Sequence, residues 1–127
     1  MSRLRIRLPD DGEAPTVEIA EDEAVLLGRF PDLARLGSQP ELLAALAGRQ
    51  VRGEPLSPAS ISGNHLLAWR DESATCVRDL GSKNGSWARL PRGETVRLPP
   101  AEETELYLGG ARAASEAGLA DGGPELD

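Results

Sequence analysis

The pattern of apolar and polar residues predicts a chain built mainly of short β-strands. Residues 3–8, Arg-Leu-Arg-Ile-Arg-Leu, and residues 16–19, Thr-Val-Glu-Ile, alternate with a period of two, which is typical of strands with one buried face. The apolar run at residues 24–27 predicts a buried strand that ends at Gly28 and Arg29. Further strands, bounded by polar turns, are predicted at residues 66–70, 75–79, 86–90, 94–98 and 104–108. Short strands at this close spacing predict an all-β sandwich.

One segment departs from the strand pattern and predicts a short helical insertion around residues 32–48. Its leucines recur at helix-like intervals, and Pro40 stands where a first helical turn could begin. Ser38 could cap this helix and Gly48 could end it. We interpret residues 39–47 as a short amphipathic helix and residues 32–36 as one possible turn. We expect the helix to cover the sheet edge, since amphipathic surface helices pack on a core more often than they bind a partner.

The length of 127 residues fits one domain that can bury a core. We expect the domain to span residues 1–112. Residues 113–127 are rich in alanine, glycine and acidic residues without apolar periodicity, and we interpret them as a disordered tail or a linker. No stretch approaches the ~18 consecutive apolar residues of a membrane span, and the N-terminus lacks the apolar core of a secretory signal. We therefore expect a cytoplasmic protein without a membrane partner.

Few residues are suited to metal, redox or catalytic chemistry. The chain has one cysteine, Cys76, and one histidine, His65, which excludes an internal disulfide and leaves no zinc-ligand set. Cys76 falls within a strand pattern and is expected in the core. No acid/base pair or nucleophile motif has recognisable spacing, so we predict a protein that is not an enzyme and uses no metal or cofactor.

The net charge of −7 is distributed unevenly along the chain. Residues 28–98 carry ten basic and seven acidic residues, whereas residues 99–127 carry one basic and seven acidic residues. An acidic protein is a poor candidate for binding nucleic acid, which depends on many contacts with phosphates. The locally basic middle of the chain could still hold a single anion in one place.

The most distinctive stretch is residues 79–86, Asp-Leu-Gly-Ser-Lys-Asn-Gly-Ser. Its Asn84-Gly85 pair is a strong turn signal, because both residue types tolerate positive φ. The stretch adds hydroxyl groups and Lys83, the only lysine of the chain, on a loop between predicted strands. Binding residues are often carried on such loops. Taken alone, however, the stretch could be a polar hairpin turn.

Three short motifs follow one another in a characteristic order. They are residues 28–29, Gly-Arg, residues 62–65, Ser-Gly-Asn-His, and residues 79–86. In this order they resemble the forkhead-associated (FHA) domain, whose pattern is Gly-Arg, then Ser-Arg-x-His, then Asp-Leu-x-Ser-x-Asn-Gly-Thr. Residues 106–109, Leu-Tyr-Leu-Gly, resemble the closing strand of that family. The resemblance implies a β-sandwich of about eleven strands that binds phosphothreonine peptides through the loops at one end.

The resemblance also implies a role for each matched residue. Arg29 and Ser62 would contact the phosphate, and Lys83 stands at a position that often adds a phosphate contact. Asn84 would hydrogen-bond the peptide backbone. The other candidates for the binding surface are Gly63, through its backbone N–H, and Ser82. Residues expected to support the site without touching the peptide are Gly28, His65, Gly85 and Ser86.

The chemistry of phosphothreonine suits this set of residues. The phosphate carries about −1.5 to −2 charges and three acceptor oxygens, so a site needs one or two cations and neutral donors. Arginine offers a two-pronged grip and lysine a point charge, while asparagine presents both a donor and an acceptor to a peptide backbone. A slot for the γ-methyl group would favour threonine over serine by about tenfold, because one buried methyl contributes ~1 kcal/mol.

Two departures from the family pattern leave alternatives open. Gly63 replaces an arginine, and residues 87–90, Trp-Ala-Arg-Leu, replace the usual Val-Asn-Gly. We expect phosphothreonine-dependent recognition in Ser/Thr kinase signalling, with a phosphorylated protein, such as a kinase or its substrate, as the partner. Gly63 and the helical insertion favour the alternative, a phosphate-independent assembly domain on the same sandwich. Arg29 could also be an ordinary surface arginine.

Overall fold

The computed structural model of the chain describes residues 2–8, 15–56, 61–71, 74–83, 86–87, 90, 93–98 and 104–108. In these residues there are two helices, α1 (Leu33–Leu36) and α2 (Pro40–Leu46), and nine strands. The strands are β1 (Ser2–Arg7), β2 (Thr16–Ile19), β3 (Glu23–Gly28), β4 (Gln50–Pro55), β5 (Leu66–Asp71), β6 (Ala74–Asp79), β7 (Ser86–Trp87), β8 (Val96–Leu98) and β9 (Thr104–Leu108). The predicted all-β class is confirmed. The total of eleven strands stays a prediction, and the predicted tail lies outside the described residues.

The strands form two sheets. The first has the order β2-β1-β9-β7 and the second the order β4-β3-β5-β6-β8. Strands β1 and β9 pair in parallel, as do β3 and β4, and the other neighbours are antiparallel. Residues near the N-terminus therefore pair with residues near position 106, so the first sheet joins distant parts of the chain.

The two sheets pack against each other through one apolar cluster. In β1 the predicted alternation holds, since Leu4 and Ile6 are fully buried while Arg3 is exposed. Side chains of both sheets contribute to this cluster, among them Leu4, Ile6, Ile19, Leu106 and Leu108 of the first and Val25, Leu27, Leu66, Ala68 and Val77 of the second. The burial of this apolar surface between two layers is the main source of stability for such a fold.

A second apolar cluster lies on the other face of the second sheet. It joins Leu36 of α1 and Leu42 of α2 to strand residues Ala24, Leu26, Leu67, Trp69 and Cys76. The helices therefore cover the outer face of β3, β5 and β6. This cover explains why residues 24–27 form a continuous apolar run, because both faces of β3 are buried. The predicted packing of the helical insertion on the sheet is confirmed, but the apolar contacts lie on the outer face of the sheet, where an edge position was expected.

The insertion contains two helices. Helix α2 was predicted at residues 39–47, and α1 lies within residues 32–36, where only a possible turn was predicted. Asp32 caps α1, since its Oδ1 accepts a hydrogen bond of 3.1 Å from the amide of Ala34. Ser38, the predicted cap of the second helix, instead donates its hydroxyl to the carbonyl of Arg35 at 2.8 Å, at the end of α1. Gly48, with a φ of 76°, lies in the turn after α2. Within the described residues, neither helix is long and apolar enough to cross a membrane.

Strand β4 was not predicted from the sequence. It pairs with β3 and lies at the edge of the second sheet, and most of its side chains are exposed or half-buried. Its only apolar side chains are those of Val51 and Pro55, so it has no alternation to detect. Arg52 ties this edge to the rest of the fold, because it bonds Glu23 at 2.9 Å and the carbonyl of Glu18 at 2.7 Å.

Candidate functional site

Three chain segments that are distant in sequence meet beyond the end of β3. The amide of Arg29 donates to the carbonyl of Ser62 at 2.9 Å, and the amide of Phe30 donates to the carbonyl of Gly63 at 3.3 Å. The amide of Lys83 donates to the hydroxyl oxygen of Ser62 at 3.0 Å. The structure therefore brings together three of the residues that the sequence singled out, since the backbone of Arg29 and that of Lys83 both bond Ser62.

The end of β3 touches the Ser62–His65 loop so closely that only glycine fits at position 28. A Cβ atom on Gly28 would lie 1.9 Å from the carbonyl oxygen of Gly63 and 2.8 Å from its carbonyl carbon. Real Cβ atoms do not approach backbone atoms this closely, so any side chain would push the two segments apart. Gly28 thus sets the spacing between Arg29 and the segment that carries Ser62.

His65 connects the segments from within the protein. It is fully buried, its amide donates to the carbonyl of Leu27, and its carbonyl accepts from the amide of Leu80, both at 2.9 Å. Its Nδ1 accepts a hydrogen bond of 3.1 Å from the amide of Ser62. Because Nδ1 is an acceptor, the neutral ring carries its proton on Nε2, which lies 4.0 Å from Oδ1 of Asp79. These contacts link β3, the Ser62–His65 loop and the end of β6.

The buried carboxylate of Asp79 holds the loop that carries Lys83. Its Oδ2 accepts from the amides of Gly81 and Ser82, each at 3.0 Å. Its Oδ1 accepts from the hydroxyls of Ser82 at 2.6 Å and Ser86 at 2.7 Å. A buried carboxylate is tolerated only when such donors replace water. Sequence reasoning assigned no role to Asp79, although an Asp that precedes Gly-Ser by two residues is a known signal for a side-chain-to-backbone turn.

The candidate binding residues divide into exposed and buried side chains. Arg29 and Lys83 are exposed, and Ser62 is half-buried. Ser82 and Ser86 are buried, and both donate their hydroxyls to Asp79. The hydroxyl of Ser62 accepts from Lys83, so it keeps its own proton to donate to another group. The exposed side chains of these loops therefore include two cations, and Ser62 adds one hydroxyl donor. The loop that carries Lys83 is held from beneath by the buried hydrogen bonds to Asp79.

Position 63, where the FHA pattern has an arginine and this chain has glycine, has room for a side chain. A Cβ atom on Gly63 would meet no atom within 4 Å, and its φ lies outside the left-handed region. Neither space nor backbone conformation requires glycine there. The neighbouring Asn64 accepts from the amide of Asp32 at 2.9 Å and donates to its carbonyl at 3.2 Å, which ties the loop to the start of α1.

Two of the candidate residues, Asn84 and Gly85, lie outside the described residues. Among those described, no group of three His, Cys, Asp or Glu side chains could hold a metal ion. Cys76 is buried on β6, and burial raises the pKa of its thiol, with Arg97 opposing the shift. A raised thiol pKa lowers the fraction of reactive thiolate at neutral pH. What the described part of the site offers is two exposed cations, Arg29 and Lys83, and the hydroxyl of Ser62.

Comparison of the chain with models of protein families, with curated proteins and with solved structures found no match.

Proposed function

We propose that this chain is a phosphothreonine-recognition module of the FHA type. The observation that carries the proposal is the junction at Ser62, where the amide of Lys83 meets its hydroxyl and the amide of Arg29 meets its carbonyl. This junction brings the backbones of Arg29 and Lys83 to Ser62, and both of their side chains are exposed. Two cations and a hydroxyl donor would meet the needs of a phosphate with nearly two negative charges. The order of the three motifs along the chain supports the same assignment.

The buried part of the site supports binding by reducing its entropic cost. Asp79 holds the Lys83 loop, His65 holds the Ser62 loop, and Gly28 allows the end of β3 to touch that loop. Because these groups are ordered before a ligand arrives, little conformational freedom is lost when a phosphate binds. In this proposal Ser82 acts through its bond to Asp79 and not through a direct contact with the peptide.

The peptide itself would bind in an extended form across the loops. Arg29 and Ser62 would bind the phosphate, Lys83 would add charge, and Asn84 would bond the peptide backbone. The partner would be a protein that a Ser/Thr kinase has phosphorylated, or the kinase itself. The chain would recruit this partner without chemical turnover and without a cofactor.

The test is binding of a phosphothreonine peptide library, measured beside the phosphoserine and unphosphorylated forms. We expect binding that depends on the phosphate and is about tenfold weaker for phosphoserine. Arg29→Ala should weaken phosphopeptide binding by about ten- to a hundredfold, because charge-assisted hydrogen bonds contribute about 1.5–3 kcal/mol. Arg3→Ala is a matched control, since it removes another exposed arginine, which pairs with Glu18 on the first sheet. Binding that ignores phosphorylation would refute the proposal.

A second candidate is a phosphate-independent assembly domain. It is favoured by two exposed apolar side chains at the start of the insertion, Phe30 at 69% and Leu33 at 43% exposure. This function predicts that Arg29→Ala and Ser62→Ala leave partner binding unchanged. Truncation of Leu33 would then abolish it.

A further inference from the structure

An aromatic side chain stands exposed directly beside Arg29. Phe30 is the only phenylalanine of the chain, and 69% of its surface is accessible. The guanidinium carbon of Arg29 lies 5.2 Å from the centre of its ring. Leu33, at 43% exposure, follows at the first position of α1. Within the described residues, these are the two large apolar side chains that remain exposed, and they are close neighbours in sequence.

The backbone around Phe30 is held by contacts with β4 and with the Ser62–His65 loop. The amide of Phe30 is bonded to Gly63, and the next residue, Pro31, packs against the backbone of Gly53 in β4. Asp32 then makes two hydrogen bonds with the side chain of Asn64. The ring is thus presented to solvent from a segment held in place by β4 and the Ser62–His65 loop. A single exposed apolar residue on a surface is ordinary, but one fixed beside a cation in a candidate phosphate site indicates a contact surface.

We propose that Phe30 and Leu33 form an apolar subsite for a large aliphatic or aromatic side chain of the phosphothreonine peptide. The inference rests on the proposed function, because a phosphate bound to Arg29 is what brings the peptide to this subsite. The phosphorus atom would lie about 4 Å from the guanidinium carbon. An extended peptide advances about 3.3 Å per residue, so the apolar side chain lies within about three residues of the phosphothreonine.

The contact between Arg29 and Phe30 suggests a different role for the exposed ring of Phe30. A cation over an aromatic face is attracted to it, so Phe30 could serve only to orient the guanidinium. The two roles have different consequences. Orientation of Arg29 strengthens the binding of every phosphothreonine peptide by the same factor, whereas an apolar subsite strengthens only the peptides that place an apolar side chain there.

A peptide scan separates these roles. The probes are fluorescent phosphothreonine peptides in an alanine-serine background, with leucine placed in turn at each of the three positions on either side. Affinity is measured by fluorescence anisotropy for the wild-type chain and for Phe30→Ala, Phe30→Leu and Leu33→Ala. We expect leucine at one position to raise the wild-type affinity about three- to tenfold, as partial burial of such a side chain does. That gain should vanish in Phe30→Ala, shrink in Leu33→Ala and largely persist in Phe30→Leu.

The possible results distinguish failure of the subsite from failure of the proposed function. An equal loss for all peptides in Phe30→Ala would assign the ring to Arg29 alone and overturn the subsite. Phosphate-dependent binding with no leucine preference at any position would overturn it as well, while leaving the proposed function intact. Wild-type binding that does not depend on the phosphate would refute the proposed function and the subsite with it. Thermal unfolding of each variant checks that these surface changes leave the fold unaltered.

Discussion

The amide of Lys83 donates a hydrogen bond of 3.0 Å to the hydroxyl oxygen of Ser62, across two loops that are 21 residues apart in sequence. This bond fills one acceptor position of the hydroxyl and leaves its proton to be donated. It also fixes the position of the Lys83 backbone relative to Ser62. In the proposed function the serine therefore has two tasks, to hold the loop that carries Lys83 and to donate a hydrogen bond to the phosphate.

Ser62→Ala should remove both tasks together. We expect phosphothreonine peptides to bind about tenfold or more weakly, because a lost hydrogen bond to a charged group costs about 1.5–3 kcal/mol. Isothermal titration calorimetry with one phosphothreonine peptide measures the change. Ser38→Ala is the control, since the hydroxyl of Ser38 bonds Arg35 within the insertion and should leave affinity unchanged. Equal affinity of the Ser62 variant and the wild type would exclude Ser62 from the phosphate site.

Two glycines that touch each other should respond in opposite ways to the same methyl group. Gly28→Ala places a Cβ atom on the carbonyl of Gly63 and should destabilise the fold by about 1–3 kcal/mol, the usual cost of overpacking. Gly63→Ala places its Cβ in open space at an ordinary φ and should be neutral or stabilise by up to about 1 kcal/mol. Urea unfolding of both variants measures the contrast. Similar stabilities for the two variants would contradict the close approach at Gly28.

The buried carboxylate of Asp79 should be essential for the Lys83 loop. Asp79→Asn replaces one acceptor oxygen with a donor, so at least one of the amide and hydroxyl donors around it loses its partner. We expect a loss of about 3 kcal/mol or more in the free energy of unfolding, together with weaker phosphopeptide binding. Asp71→Asn is the matched control, because Asp71 pairs with Arg97 at the surface, where such pairs contribute less than about 1 kcal/mol. If both variants unfold at the same urea concentration, Asp79 does not organise the loop.

Several strands could be predicted from the sequence because their buried side chains leave either an alternating pattern, as in β2, or an apolar run, as in β5. Strands β2 and β9 have the bounds that alternation predicts, and β5 and β6 differ from their predicted bounds by one residue at one end. Strand β4 could not be found in this way. It is polar, it contains Gly53, and it exists because its backbone pairs with β3, which is a tertiary property. Helix α1 was interpreted only as a possible turn, because a helix of four residues has too few apolar positions to show a helical period.

The sequence could predict which residues belong to the candidate site, from their types and their order along the chain, but not how the loops that carry them pack. The motif order was enough to name Arg29, Ser62 and Lys83, which the fold then brings together. The approach of Gly28 to Gly63 depends on how two loops pack, and no local pattern contains that information. The exposure of Phe30 was missed for the same reason, since a phenylalanine is expected inside and only the fold places this one at the surface.

Lys83 should carry part of the charge that the missing arginine would otherwise supply. Lys83→Ala should weaken phosphopeptide binding about fivefold or more in low salt, and the loss should shrink as salt rises, because exposed charges are screened. Lys83→Gln preserves most of the length of the side chain and tests whether charge is the cause. Anisotropy titrations from about 20 to 300 mM salt follow the effect across the range where the screening length falls below about 10 Å. Equal affinities for the wild type and the alanine variant in low salt would exclude Lys83 from the site.

Gly63→Arg should tighten phosphopeptide binding. A Cβ atom added at position 63 would have open space around it, and the φ of Gly63 lies outside the left-handed region, so a side chain can be added without strain. A guanidinium that reaches the phosphate should raise affinity about tenfold, the effect of one charge-assisted hydrogen bond. Gly63→Gln adds a similar length without charge and should give little of this gain, and the gain should disappear for unphosphorylated peptides. If arginine and glutamine have the same effect, the improvement comes from contact and not from charge. If Gly63→Arg restores the binding lost in Lys83→Ala, the two positions serve the same phosphate, because a cation at one then compensates for its absence at the other.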